Sequence, residues 1–193
     1  MEITSLNQLD LDKTYTYADY LLWKFQERVE LLKGQIFKMS PAPSMKHQSI
    51  SQIINFKLLR QFYDSGCAVF TAPFDVRLPS KSGDVFTVVQ PDLCVICDKT
   101  KLDDKGCNGA PELIVEILSP GNSAKEMGIK FNLYEESGVQ EYWLVQPAEK
   151  AILVYTLEEG KFIGLQPVTL GMTAKSRKFE GLEISADEVF RDF

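Results

Sequence analysis

The segment PELIVEILSP, residues 111–120, places a carboxylate, Glu116, in the middle of an apolar run that has the character of a β-strand. Alternate side chains of a strand point to opposite faces, and both faces of this strand are apolar apart from Glu116. Such a strand is typical of a sheet that is covered on both sides. A charged group without a partner is costly in that position, so we expect Glu116 to be paired, protonated or bound to a cation.

A second acid, Asp92, begins the preceding apolar strand, DLCVIC, residues 92–97. One interpretation is structural: each carboxylate forms an ion pair or is hydrogen bonded at the end of its strand. The other is that the two carboxylates converge from neighbouring strands on a hard divalent cation, as in phosphoryl-transfer sites. Mg²⁺ typically takes one or two protein carboxylates, so two acids on successive strands, with a lysine-bearing helix after them, favour the second interpretation.

Lys130 belongs to a helix predicted over about residues 123–136, which begins with a capping box formed by Ser123 and Glu126. Its side chain lies at the edge of the apolar stripe of this helix, from which it can reach along the sheet towards Glu116. The alternative is a solvated lysine paired with Glu126 at i, i+4, in the order that stabilises helices. Spacing alone favours the pair with Glu126.

His47 is the only histidine in the chain. It lies on the apolar side of a helix predicted over residues 45–63, so a buried, hydrogen-bonded histidine is favoured over a residue of a reaction site. A Ser-His-Asp or Cys-His mechanism would have to use His47. No nucleophile elbow and no Gly-rich phosphate loop accompanies it in the sequence.

The order of predicted elements indicates one α/β or α+β domain over residues 1–193, with a central mixed sheet flanked by helices. A helix over residues 15–28 and a hairpin with its turn at Lys33-Gly34 occupy the N-terminal part, 15–40. The core spans about 45–160, and a short C-terminal tail follows. Three strand-like segments fill the middle of the core, at 68–79, 85–97 and 111–119, and two further strands lie at 141–147 and 151–157.

The composition of the 193-residue chain, 45% hydrophobic and 25% charged, is that of an ordinary soluble protein. No apolar run approaches the roughly 18 residues that span a membrane, and the N-terminus has no signal-peptide pattern, so we expect a cytoplasmic protein outside the membrane. A net charge of −6 argues against broad, non-specific binding of nucleic acid but leaves room for a local basic groove.

The chain has four cysteines, two of which, Cys94 and Cys97, form a CxxC inside an apolar run. Residues three apart on a strand point to opposite faces, so these two thiols cannot easily share a metal ion. We therefore expect free, buried thiols rather than a zinc site.

Several motifs together resemble a large bacterial family of restriction-endonuclease-like proteins in the PD-(D/E)xK nuclease superfamily. The matching segments cover the chain from about residue 15. They are residues 91–93 and 109–120, then Lys130, Tyr134, 138–139, 141–145 and Pro147, and outside these 30–34, 40–41, 47–48 and 179–182.

The resemblance implies a restriction-endonuclease-like core that hydrolyses phosphodiester bonds with Mg²⁺ or Mn²⁺. Asp92 and Glu116 would hold the metal, and the backbone carbonyl of Ile117 would complete the protein ligands. In the superfamily a lysine usually stands two residues after the second acid, where this chain has Leu118. Lys130 occupies the position from which a helix lysine is thought to supply the missing charge in this family.

The resemblance also implies a nucleic-acid substrate, with DNA favoured and the choice between DNA and RNA left open. A homodimer is expected by analogy with restriction enzymes that cut two strands. Glu30, His47, Asp75 and Glu126 are weaker candidates for lining the site. One alternative is an inactive nuclease-like fold that binds nucleic acid or a partner protein. Another is a metal-free structural domain, which would require Glu116 to be paired with a lysine or arginine.

Overall fold

The computed structural model of the protein describes residues 2–39, 42–119 and 124–191, apart from the side chains of 124–126. Four α-helices lie within this part of the chain: α1 (Tyr17–Tyr20), α2 (Met45–Phe62), α3 (Ala124–Ser137) and α4 (Ala186–Val189). None of these helices has the length and apolar character needed to cross a membrane. The strands of the same residues are β1 (Val29–Leu32), β2 (Gln35–Lys38), β3 (Ala68–Thr71), β4 (Val76–Pro79), β5 (Val85–Val89), β6 (Leu93–Ile96), β7 (Leu102–Asp103), β8 (Gly106–Asn108), β9 (Leu113–Ile117), β10 (Glu141–Gln146), β11 (Ala151–Glu158), β12 (Lys161–Gly164), β13 (Thr173–Lys175) and β14 (Glu183–Ser185).

A six-stranded mixed sheet in the order β12-β11-β10-β9-β6-β3 forms the centre of the fold. β9 and β10 run parallel, with Glu116 opposite Leu144, and the other neighbouring strands pair antiparallel. Apolar side chains of α2 and of the C-terminal tail cover one face, whereas α3 and a second sheet cover the other. β9 is therefore covered on both faces, as the apolar run around Glu116 predicted.

The second sheet, in the order β2-β1-β5-β4-β8-β7, was not predicted from the sequence. Two of its strands, β4 and β5, come from predicted segments that each divide at a proline: residues 68–79 divide into β3 and β4 around Pro73, and residues 85–97 divide into β5 and β6 around Pro91. Proline has no N–H to donate to a ladder, so a strand ends there more readily. Each segment therefore contributes one strand to each sheet, and Asp92 lies where the chain crosses into the central one.

The hairpin of β1 and β2 is confirmed, with Leu32 opposite Gln35. Its turn residues, Lys33 and Gly34, have φ values of 49° and 80°, as a two-residue hairpin turn of this hand requires. The long helix after the hairpin is also confirmed, since α2 ends one residue short of the predicted boundary. The Ser44 side chain caps it by accepting a hydrogen bond from the His47 backbone N–H.

The helix predicted over residues 15–28 is wrong, because α1 has only four residues. Beyond α1 the chain extends, and Trp23 forms a bridge with Ile3. The aromatic residues of this segment pack in a small separate cluster against β1 and β5. Their spacing resembled a helical stripe, but packing of this kind overrides a weak intrinsic preference for helix.

The expectation of free, buried thiols is wrong for Cys97, which forms a disulfide with Cys67. Antiparallel pairing of β3 with β6 places Ala68 opposite Ile96, which brings the flanking cysteines together across 30 residues of sequence. The other two, Cys94 and Cys107, are free and buried as expected.

We predict that Gly34→Ala lowers the free energy of unfolding by roughly 2 kcal/mol or more. The positive φ of Gly34 disfavours any side chain, and an added methyl group would overlap Thr14 Cγ2 and approach the Tyr15 backbone. Gly66→Ala is the matched control, since Gly66 has a similar φ of 82° but no atom within 4 Å of an added methyl group. Urea unfolding curves of both variants measure the difference. Equal losses in the two would show that the close contact at Gly34 has no effect.

Candidate functional site

A cleft of about 320 Å³ opens where β1, β6, β9, α2 and α3 meet. It lies beside the chain crossing that carries Asp92 and at the end of β9 that carries Glu116. Its lining residues are Arg28, Glu30, Met39, Pro43, His47, Gln48, Ser51, Gln52, Thr71, Ala72, Pro73, Gln90, Asp92, Glu116, Ile117, Ser119 and Lys130. Asp75 and Leu118 are not among them.

Lys130 and Glu116 meet in this cleft. The Lys130 ammonium donates to Glu116 Oε1 at 3.0 Å and to the Glu30 carboxylate at 2.9 Å. Tyr134, one turn further along α3, donates its hydroxyl to the same Glu116 oxygen at 2.7 Å. Lys130 is only 7% exposed, so the alternative of a solvated lysine is wrong. The side chain of Glu126 lies outside the described residues, and so does the capping box predicted to begin this helix.

The charges of this cluster do not balance, because one ammonium faces two buried carboxylates. Burial raises the pKa of Glu116 to about 7; the Lys130 charge opposes this rise, and Asp92 and Glu30 add to it. Burial lowers the pKa of Lys130, but the attraction of Glu116 and Glu30 is larger and leaves that pKa above its ordinary value. Lys130 therefore keeps its proton at neutral pH, whereas Glu116 is partly protonated and partly ionised near that pH.

Asp92 and the β9 backbone meet on the other side of the cleft. The Ile117 N–H donates to Asp92 Oδ2 at 2.7 Å. His47 Nε2 lies 3.0 Å from the Ile117 carbonyl oxygen and 3.3 Å from Asp92 Oδ2. His47 is buried and hydrogen bonded, as expected, and it also lines the cleft. Burial lowers its pKa, but the contacts with Asp92, Ile117 and Glu116 outweigh burial and raise that pKa overall.

The donor atoms at this site fit a hard divalent cation. In the described part of the chain, Oδ1 of Asp92 and Oε2 of Glu116 accept no hydrogen bond from a protein group. No cluster of three or more His, Cys, Asp and Glu side chains that could hold a metal ion is found among those residues. Mg²⁺ needs only one or two protein carboxylates and takes water for much of its shell, so two acids and the neighbouring Ile117 carbonyl suffice.

The remaining predicted residues have supporting positions. Asp75 does not line the cleft but contacts Gln90, which does: its Oδ1 accepts hydrogen bonds from Gln90 Nε2 at 2.8 Å and from the Tyr20 hydroxyl at 3.4 Å. Leu118, at the position of the usual lysine, packs against the core covered by α3. Glu30 is 1% exposed and accepts a hydrogen bond from the Gln90 backbone N–H at 2.8 Å.

Sequence reasoning missed the parts played by Tyr134, Gln90 and Arg28. Tyr134 follows Lys130 by four residues, so helical spacing could have placed both side chains on one face. Gln90 supports the cleft through both its backbone and its side chain, which accepts hydrogen bonds from the Arg28 guanidinium at 3.2 and 2.7 Å. No local signal identifies these contacts, because Arg28 and Gln90 are 62 residues apart.

We predict that the metal-free protein loses stability as pH rises from about 5 to 8. Because its folded-state pKa of about 7 exceeds the ordinary 4.5, Glu116 binds a proton more tightly in the folded protein. Its contribution to stability is therefore complete below pH 4.5 and disappears as pH rises through 7. Melting temperatures in EDTA, compared between wild type and Glu116→Gln, measure the effect. The variant should show a flatter profile, and parallel profiles would contradict the raised pKa.

Comparisons with known proteins agree with this architecture. Residues 17–187 match the Uma2 family, described as "Putative restriction endonuclease". An uncharacterized protein of Synechocystis sp. is 27% identical over 180 residues, which is 90% of each chain. A crystal structure from Anabaena variabilis, described as "a putative nuclease belonging to DUF820", superposes with a TM-score of 0.71 at 20% identity, over 91% of this chain and 97% of that one. The match to the family extends over most of the sequence, and the chain belongs to the restriction-endonuclease-like Uma2 family.

Proposed function

We propose that this protein is a divalent-metal-dependent endonuclease that hydrolyses phosphodiester bonds of DNA. Membership of the family supports a nuclease-like function. The observation that carries the proposal is the contact of 3.0 Å between Lys130 and Glu116. It gives the cleft an ammonium beside an acid on the central sheet, although the usual lysine position is Leu118.

Asp92, Glu116 and the Ile117 carbonyl would hold Mg²⁺ or Mn²⁺, which when bound lowers the pKa of a water ligand and neutralises charge on the phosphate. Lys130 is placed to donate to a phosphate oxygen or to orient the attacking water. It acts as a cation and not as a base, because its pKa is raised by Glu116 and Glu30 against the effect of burial. Glu30 is proposed as a positioning residue, since its carboxylate holds the Lys130 ammonium beside Glu116.

The rim of the cleft carries a positively charged side chain, Arg28, that could contact a nucleic-acid backbone. Arg28 lines the cleft, and Gln90 Oε1 holds two nitrogens of its guanidinium. In turn, Gln90 Nε2 donates to Asp75. Asp75 is thus proposed to support substrate binding indirectly rather than to line the site. A duplex has two strands to cut and each chain has one proposed site, so we expect two copies to act together on DNA.

The second candidate function is a nuclease-like module that binds nucleic acid or a partner protein without cleaving. The ion pair of Glu116 with Lys130 is what the third alternative, a metal-free structural domain, requires, and a module that binds without cleaving is equally compatible with it. The pairing is incomplete, however, since Lys130 is shared with Glu30 and the pKa of Glu116 is raised by burial to about 7.

Metal titration and nuclease assays separate the two functions. We expect calorimetry to show Mg²⁺ and Mn²⁺ binding that weakens below pH 7, because a proton on Glu116 competes with the cation. Plasmid and oligonucleotide substrates should be cleaved with Mg²⁺ or Mn²⁺ and remain intact in EDTA. Failure of the wild-type protein to bind either cation would favour the binding module.

A further inference from the structure

His47 lies against two atoms of the proposed cation site. Its Nε2 is 3.0 Å from the Ile117 carbonyl oxygen and 3.3 Å from Asp92 Oδ2. The side chain enters the cleft from the first turn of α2, where Ser44 caps the helix through the His47 backbone N–H at 3.2 Å. His47 is only 7% exposed, so its ring is held in this position by packing.

These separations suit a ligand as well as a hydrogen bond. Ligands at about 2.1 Å in an octahedral shell stand about 3.0 Å apart when they occupy adjacent positions. Nε2 has nearly this separation from both Asp92 Oδ2 and the Ile117 carbonyl oxygen. One cation could therefore contact Nε2 together with the Ile117 carbonyl oxygen and an oxygen of Asp92. Oδ2 of Asp92 already accepts the Ile117 N–H, whereas Oδ1 accepts no hydrogen bond within the described residues.

The protonation of the ring is also adaptable. The buried Nδ1 of His47 has no hydrogen-bond partner within residues 2–39, 42–119 and 124–191. The two acceptor oxygens at Nε2 hold the ring proton there when no cation is present. A cation would replace that hydrogen bond, and the proton could then move to Nδ1, where no contact with this part of the chain would be broken.

Glu116 has one carboxylate oxygen left for a cation. Its Oε1 already accepts from Lys130 and Tyr134, which leaves Oε2 to reach the cation directly or through water. On the side of the cleft formed by His47, Asp92 and Ile117, three possible ligand atoms are neighbours. They are the His47 Nε2, a carboxylate oxygen of Asp92 and the Ile117 carbonyl oxygen.

We propose that His47 Nε2 is a ligand of the divalent cation, together with Asp92 and the Ile117 carbonyl. This inference rests on the proposed metal-dependent function. Imidazole suits transition metals, whereas Mg²⁺ prefers oxygen ligands. The site should therefore bind Mn²⁺ in preference to Mg²⁺, and the nitrogen ligand should account for the preference.

Electron paramagnetic resonance of the Mn²⁺-loaded protein tests the coordination directly, without any measurement of activity. The full chain is used without a histidine tag. Because His47 is the only histidine, a ¹⁴N coupling typical of a bound imidazole in the electron spin-echo modulation can arise only from His47. Growth with ¹⁵N-labelled histidine should replace that coupling with the ¹⁵N pattern, and this control leaves the fold unchanged.

The outcomes distinguish this inference from the proposed function. Mn²⁺ binding with a histidine ¹⁴N coupling supports both. Mn²⁺ binding without that coupling overturns the role of His47 and leaves the metal-dependent function standing. Absence of Mn²⁺ binding overturns both.

Calorimetry of His47→Asn gives a second measurement. We expect its affinity for Mn²⁺ to fall about tenfold or more and its affinity for Mg²⁺ to fall less, because the nitrogen ligand matters more to Mn²⁺. Circular dichroism verifies that the variant is folded. An equal loss for the two cations would contradict a nitrogen ligand, and the labelled wild type remains decisive if the variant does not fold.

Discussion

Lys130→Met should reduce DNA cleavage at least about 10²-fold, the usual effect of removing one charged donor from a reaction site. It should also lower stability by about 3 kcal/mol or more, because two buried carboxylates, Glu30 and Glu116, would lose their cation. For a chain of this length that loss corresponds to a fall of roughly 6–12 °C in melting temperature. Nuclease assays under saturating Mg²⁺ and differential scanning calorimetry measure the two effects.

The double variant Glu30→Gln/Lys130→Met separates the catalytic and structural contributions of the ammonium. The amide introduced by Glu30→Gln can still accept the hydrogen bond from the Gln90 backbone N–H, and the substitution removes one of the unpaired charges. We therefore expect the double variant to regain much of the melting temperature but none of the activity. Recovery of cleavage together with stability would show that Lys130 serves the fold alone.

Glu116→Gln should also reduce cleavage at least about 10²-fold, because a neutral amide is a poor ligand for a hard cation. The change should leave the metal-free protein as stable as wild type or more stable at pH 8, where the acid would carry its unfavourable buried charge. The amide oxygen can still accept from Lys130 and Tyr134, so the local geometry is preserved. Calorimetry with Mg²⁺ should show weakened binding.

Glu183→Gln is the matched control for this substitution. Glu183 lies on β14, is exposed and pairs with Lys175 at the surface, outside the cleft. An exposed ion pair contributes little, so activity and stability should both stay near wild type. Full activity in Glu116→Gln would contradict the assignment of Glu116.

Local sequence patterns were sufficient for the elements that hold Asp92 and Glu116. The apolar run around Glu116 identified a strand covered on both sides, and Asp92 was placed on a neighbouring strand, which β6 and β9 confirm. Helical periodicity located α2 and α3 because their apolar positions recur over several turns.

Long-range contacts account for what sequence patterns missed. Glu30 contacts Lys130 across 100 residues, and nothing in the hairpin indicates that its buried acid faces a helix lysine. The second sheet was missed because strand-like residues continue on both sides of Pro73 and Pro91, so each run resembled one long strand. The disulfide was missed for a related reason, since only the pairing of β3 with β6 brings Cys67 to Cys97.

The chain crosses from the second sheet to the central sheet at residues 90–92, and this crossing limits where residues can be inserted or deleted. The Gln90 backbone N–H donates a hydrogen bond to Glu30 on β1 of the second sheet. Two residues later, Asp92 accepts a hydrogen bond from the Ile117 N–H on β9 of the central sheet. One residue inserted or deleted here would move one group or the other away from its partner. The turn at residues 80–84 is exposed and does not line the cleft, so it should tolerate inserted residues better than the crossing does.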